Sequence, residues 1–190
     1  MPKVVDHEKR RQELAAAVWE VAAKGGLESV TLRSVAAASG HSTGVASHYF
    51  ADKAQLLIFA FRAAVDQVRQ RLQPVLEHPS AAALTQAVLE TLPLDETRTR
   101  EWHIWFTFAA QAAFDPRLAE EMERHYAQWI VAVEEVVQAV MPDAHPDEYR
   151  RRARLLIATV EGLSLMSTYR QLAIDELAHL GQCAVSSALR

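Results

Sequence analysis

Cysteine is nearly missing from this sequence: Cys183 stands alone among 190 residues. A single thiol excludes an intrachain disulfide framework and suits a reducing compartment. Helix breakers are scarce too, with six glycines and seven prolines. Together with abundant Ala, Leu, Glu, Gln and Arg, that scarcity favours an all-α chain. No apolar run approaches the ~20 residues of a membrane-spanning helix. The charged opening MPKVVDHEKRR is not followed by an apolar stretch, so it does not read as a signal peptide. The expectation is a cytoplasmic protein with no membrane partner.

Signs of catalysis are missing as well. There is no zinc-protease spacing, no Gly-rich phosphate loop and no Cys/His pair in a local context that would make a nucleophile. The eight histidines are scattered. Glu121 and His125, one helical turn apart, read as a surface contact rather than a metal site. Neither an enzyme nor a cofactor is expected. Cys183 reads as a packing residue rather than a redox switch.

What is present is punctuation for nine helices. Asp6 caps the first, with Leu14, Val18, Val21 and Ala22 on its apolar face, and Gly25-Gly26 end it. A helix from Asp52 runs to about Leu72, where Gln73-Pro74 stops it. Ser80 opens another, which Pro93 closes, and residues 98–113 form an aromatic-rich helix. Asp115-Pro116 starts a long one ending near Met141-Pro142. Pro146 starts the next, which carries Arg150, Arg151, Arg152 and Arg154. That run reads as an exposed helix start paired with nearby acids, the alternative being a second nucleic-acid patch. A last helix occupies about Asp175 to Leu189. Residues 1–72 carry ten Lys/Arg against seven Asp/Glu, and residues 73–190 ten against seventeen, so a net of −4 divides into +3 and −7. A basic head on an acidic body fits a protein that offers one end to phosphate.

The head contains the most informative segment, Thr31 to Lys53, TLRSVAAASGHSTGVASHYFADK. Thr31 is a candidate N-cap, Leu32, Val35, Ala36 and Ser39 follow at helical spacing, and Gly40 sits where a left-handed cap would end the helix. Ser42 can cap a second short helix, Thr43 to Tyr49, whose small residues allow close approach to another surface. Two short helices around a glycine turn are an ordinary helical hairpin or a DNA-reading helix-turn-helix. Continuing into HYFADKAQLLIFAF, the segment resembles the DNA-binding domain of the TetR family of bacterial repressors. Thr31, Val35, Ala36, Ser39, Gly40, Ser42, Gly44, His48, Tyr49, Phe50 and Lys53 stand at that family's positions, and GHSTGVASHYFADKAQLL is most similar to the BetI-type branch. Two positions depart from the pattern: Ser47 where many members have Tyr, and His41 where a small aliphatic is usual. In the body, WHIWFTFAAQAAFDPRLAEEM and Glu161-Gly162-Leu163 resemble BetI-like regulators more loosely.

The resemblance implies an all-α protein. Residues 1–52 would form a three-helix helix-turn-helix domain and residues 53–190 a six-helix ligand-binding and dimerisation bundle, with helix 53–72 connecting them. Its partners would be double-stranded operator DNA, a second copy and a small-molecule effector of unknown identity. Candidate DNA contacts are Thr31, Ser42, Arg33, Thr43, Gly44 and Ser47, with His48, Tyr49 and Lys53 on phosphates. The alternative for His48 and Tyr49 is that they only cap the head's core, where Phe50 is placed. The dimer interface is expected on the last two helices, through Leu156, Val160, Leu163, Leu177, Leu180, Gly181, Ala184, Val185 and Ala188, or else those faces complete the intrachain core. Effector contact is expected from Trp102, Trp105, Phe106, Tyr126, Trp129, Glu161 and Met166. Glu161 inside LLIATVEGLSL either joins a hydrogen-bond network or counters a cation such as a quaternary ammonium. The rival reading is a ligand-binding helical dimer that no longer binds DNA.

Overall fold

The computed structural model describes residues 7–25, 29–170 and 172–190. Among them are nine helices and no strand: α1 (His7–Gly25), α2 (Leu32–Ala38), α3 (Thr43–Tyr49), α4 (Lys53–Leu76), α5 (Ala81–Thr91), α6 (Glu96–Ala112), α7 (Pro116–Val140), α8 (Pro146–Arg170) and α9 (Ile174–Ala188). The expected roles of Asp6 and Gly26 lie outside the described residues.

The helix starts follow local chemistry. Thr31 and Ser34 form a reciprocal capping box at α2. Ser42 accepts from Val45 N–H at α3, Asp52 from Gln55 N–H at α4, Ser80 from Ala83 N–H at α5 and Asp95 from Arg98 N–H at α6. Between α2 and α3, Gly40 takes a φ of 73°, the left-handed conformation that costs glycine nothing. His41 N–H then reaches back to Ala36 C=O at 2.8 Å and Gly40 N–H to Ala37 C=O at 3.3 Å, the Schellman pattern that closes a helix. One expected stop is displaced. Pro74 lies inside α4, which runs on to Leu76. So near a helix end the missing N–H forfeits one ladder bond, and the chain absorbs that loss.

Packing divides the chain into two compact units, Met1–Asp66 with His103–Met122, and Gln67–Trp102 with Glu123–Arg190. This differs from a division at 52/53, because the first half of α4, the end of α6 and the start of α7 pack with the head. In the first unit α2 packs on α1 and α3. Its buried side chains include Leu14, Val18, Val35, Phe50, Leu56, Phe61 and Phe108. Phe61 and Phe108 stack with ring centroids 4.1 Å apart.

In the second unit α9 packs on both α5 and α8. Leu84, Val88, Leu92, Val137, Leu156, Val160, Leu177 and Val185 form its core, with Leu163, Ala184 and Ala188 packed against it. Gly181 explains how α9 comes so close. A Cβ there would stand 2.5 Å from Leu92 Cδ1 and 3.3 Å from Val88 Cγ1. Leu92 is fully buried and has little room to retreat. Gly181→Ala is therefore expected to destabilise by about 1–3 kcal/mol through overpacking, measured by urea unfolding, despite alanine's better helix propensity.

These contacts correct part of the dimer expectation. Leu156, Val160, Leu177, Gly181 and Val185, expected at the interface, are already buried within the chain. α8 is apolar on two sides, and the side left outward carries Leu155, Leu165, Met166 and Tyr169.

Charged side chains brace the second unit. Arg71 of α4 holds Glu101 of α6 bidentately, at 2.9 and 2.6 Å, and donates to Glu90 C=O at 3.2 Å. Burial and Coulomb attraction oppose each other in such a pair, and the Glu101 hydrogen bonds leave Arg71 more firmly protonated than usual. At the start of α8, Arg152 pairs with Glu148 at 2.6 Å and donates to Ala188 C=O at the end of α9. Arg151 pairs with Glu148, and Arg150 lies 3.8 Å from Asp147. The arginine run is thus neutralised by neighbouring acids, as expected of an exposed helix start.

Candidate nucleic-acid interface and effector pair

α3 has one buried side chain, Ala46, and turns Thr43, Gly44, Ser47 and His48 outward. Gly44 stands out among them. Its φ is not positive, and a Cβ there would meet nothing closer than Ser42 Oγ at 3.8 Å. No contact within the chain requires the missing side chain, although glycine costs a helix up to about 1 kcal/mol. The space at Gly44 is open to a surface outside the chain.

Around α3 the expected residues fall as follows. Arg33 on α2 is exposed, and Thr31 is exposed while also capping that helix. Ser42 is exposed and spends its hydroxyl oxygen on the α3 cap. The His48 and Tyr49 rings meet edge-on with centroids 5.4 Å apart, and Lys53 is half-buried in the first turn of α4. Phe50 is buried, 5.4 Å from Phe59, in the role expected of it. His41, one of the two departures from the family pattern, turns toward α1 and sits 3.0 Å from Glu13.

Two further contacts support the head, both from outside the Thr31–Lys53 segment. Arg11 of α1 lies over the Phe59 ring at 4.7 Å and the Phe50 ring at 5.8 Å, a cation–π bracket behind the end of α3. Arg62 of α4 grips Glu121 of α7 bidentately at 2.7 and 2.6 Å. Glu121, read from the sequence as part of a surface contact with His125, is buried rather than at the surface, and Arg62 holds its carboxylate. No group of three or more metal-ligating side chains occurs among the described residues.

The effector candidates separate between the two units. Trp105 and Phe106 belong to the first, where Trp105 lies 5.6 Å from Phe61. Trp102, Tyr126, Trp129, Glu161 and Met166 belong to the second. Trp102 donates its indole N–H to Thr91 C=O at 2.6 Å and packs against the core, so that donor serves the fold. Trp129 is half-buried and Met166 exposed. Tyr126 Oη donates to Glu161 Oε1 at 2.7 Å, which provides the carboxylate with a partner. Burial holds the Glu161 carboxyl above the usual carboxylate range, and the Tyr126 bond offsets only part of this. The Tyr126 hydroxyl is pushed up by burial first and by its carboxylate neighbour second.

Comparison with known proteins identifies both parts. Residues 14–58 match the bacterial regulatory proteins of the TetR family, and residues 79–190 match the C-terminal domain of the BetI-type transcriptional repressor. A transcriptional regulator from Rhodococcus sp. Rha1 has a crystal structure with TM-score 0.85 and 36% identity, over 94% of this chain and 95% of that one. The HTH-type transcriptional regulator BetI of Serratia proteamaculans is 28% identical over 93% of this chain and 89% of its own length. A putative transcriptional regulator from Saccharomonospora viridis, crystallised with choline, shares the fold at TM-score 0.81 and 20% identity, over 95% of each chain. No helix among the described residues is long and apolar enough to cross a membrane. The chain belongs to the TetR family, with a BetI-type C-terminal domain, and is a DNA-binding transcriptional regulator rather than an enzyme.

Proposed function

We propose that this protein represses transcription as a homodimer on a palindromic operator and is released from it by a cationic small molecule. The observation that carries the DNA side is Gly44, an exposed helical glycine that the chain's own packing does not need. It lets the α3 backbone lie close to base edges, with Thr43 and Ser47 as short readers. Arg33, His48, Tyr49 and Lys53 supply donors for phosphates or a guanine edge. With so few long side chains in the groove, DNA shape carries part of the specificity.

The dimer is proposed through the outward side of α8. Leu155, Thr159, Gly162, Met166 and Tyr169 recur there at intervals of three and four, all exposed. An isologous pair of such stripes buries apolar surface that a monomer leaves in water. Two heads then meet two half-sites. Selecting duplexes from a randomised library with the full-length protein tests this, the expected product being one palindrome. Recovery of no duplex favours the rival, a ligand-binding dimer without DNA.

Glu161 carries the effector side. A carboxylate kept where burial raises its proton affinity costs stability, and a cation is what it would repay. With the Tyr126 ring beside it, Glu161 suits a quaternary ammonium, the class to which the choline of the Saccharomonospora viridis protein belongs. α4 is continuous from Lys53 to Leu76 and offers a route from such a site to the head. A coupling of about 1–3 kcal/mol would change operator affinity roughly 5- to 150-fold.

The charge on Glu161 has a testable sign. For an acid whose folded pKa lies above its unfolded one, stability is present below the unfolded value and lost as pH rises through the folded one. Glu161→Gln keeps an acceptor for Tyr126 and removes the charge. At pH 7 the variant is expected to be more stable by on the order of 1 kcal/mol, with the gain vanishing toward pH 4. Choline affinity, read by calorimetry, should fall about tenfold or more. A variant that binds choline as wild type does would remove Glu161 from the site.

A further inference from the structure

Arg117, the second residue of α7, joins two helix starts. Its backbone N–H donates to Asp115 Oδ1 at 2.9 Å and its Nη2 to Asp115 Oδ2 at 3.1 Å. Its Nη1 reaches Asp52 Oδ2 at 2.6 Å, across 65 residues of chain. Asp52 meanwhile caps α4 with its other oxygen, Oδ1 to Gln55 N–H at 2.9 Å. Asp115 precedes α7 as Asp52 precedes α4, so one guanidinium ties the acid before one helix to the acid before the other. Both carboxyls are held below the usual aspartate range, Asp52 chiefly by its Gln55 bond and then by Arg117, Asp115 chiefly by Arg117.

The fold does not call for this tie. Arg117 and Asp52 are 57% and 43% exposed, and pairs so open to water contribute little to folding stability. The α4 cap forms through the oxygen that Arg117 does not use. Ala54, Leu56 and Leu57 bury the same stretch of helix without help. What the tie fixes is the direction of the first turn of α4, which carries Lys53 and follows α3 after three residues. Arg62 and Glu121, bound bidentately, hold the same two helices further along, so the two ties together oppose a rotation of α4 against α7.

We propose that Arg117 is a positioning residue for DNA recognition: by clamping Asp52 it orients the start of α4, and with it α3, for specific operator contact. This rests on the role proposed above for α3 and Lys53. A double-mutant cycle on the full-length protein tests it, using Arg117→Gln, Asp52→Asn and the pair. Asparagine caps a helix as well as aspartate does, so the α4 cap survives. The probes are the duplex that the wild type selects from a randomised library and a scrambled duplex of equal length.

The ratio of the two affinities is read, because a change in net charge acts on both duplexes and cancels. Each single variant should lower that ratio about three- to fivefold, and the double variant no further, with unchanged melting temperature and choline affinity. An unchanged ratio in either variant, losses that multiply in the double, or a loss that follows the melting temperature would overturn the proposal. If the wild type selects no duplex, the DNA-reading role falls first and this proposal with it. That result is distinct from a wild type that binds and variants that bind equally well.

Discussion

Replacing Gly44 by leucine is expected to abolish specific operator binding while leaving the head folded. A Cβ at this exposed position meets open space apart from Ser42 Oγ at 3.8 Å. Helix propensity favours the substitution by up to about 1 kcal/mol, so the melting temperature should hold or rise slightly. Binding behaves oppositely. The added side chain separates the α3 backbone from the groove floor and pulls Thr43 and Ser47 off the base edges. Phosphate contacts alone remain, so affinity should fall roughly 100-fold or more, toward the non-specific level. Gly44→Ala should give a smaller loss in the same direction. Anisotropy titration on the selected duplex, beside thermal unfolding, checks both halves. A loss of stability in Gly44→Leu would mean that the glycine serves the fold after all.

The largest effect on stability is expected at Arg71. Glu101 is buried, and its carboxylate takes both of its charged hydrogen bonds from Arg71. Arg71→Leu leaves that charge in the second unit without its partner. Removing one member of a buried pair costs about 3–5 kcal/mol, and the partial exposure of Arg71 places the expected cost near the lower figure. Replacing both, Arg71→Leu with Glu101→Leu, should recover most of the loss, since the desolvation cost disappears together with the attraction. Urea unfolding of the two variants and wild type measures it. Equal losses in the single and the double would show that Arg71 acts through its bond to Glu90 C=O instead.

The readable parts of this protein were those governed by neighbours in sequence. Thr31, Ser42, Asp52 and Ser80 each cap a helix with a side chain three residues from its donor, and Gly40 adopts the one conformation its place in the turn requires. Phe50 is assignable to the core because a wholly apolar ring next to His48 and Tyr49, which carry polar atoms, is better spent there. The family, too, was legible, because its head motif is local and ungapped.

Ties across distance carried no such signal. Arg117 and Asp52 are separated by 65 residues, Arg62 and Glu121 by 59, Arg71 and Glu101 by 30. Nothing in either local context names the partner. The two-sided apolar faces of α8 and α9 raised a different difficulty. Periodicity finds such faces but does not say which one turns inward. Gly181 shows why: it permits close packing against any helix, and here that helix is α5, through Leu92 and Val88. Pro74 overran a rule that holds in helix interiors and loses force at the last turn.

The central claim is that the α2–α3 head reads DNA in the service of regulation. Its most direct test is equilibrium titration of the full-length wild type against the selected duplex and a scrambled one across a series of salt concentrations. The account predicts a preference for the selected duplex of at least about 1,000-fold, two chains per site, and an affinity that falls linearly in the logarithm of salt concentration. Equal affinity for the two duplexes, or binding indifferent to salt, would contradict it.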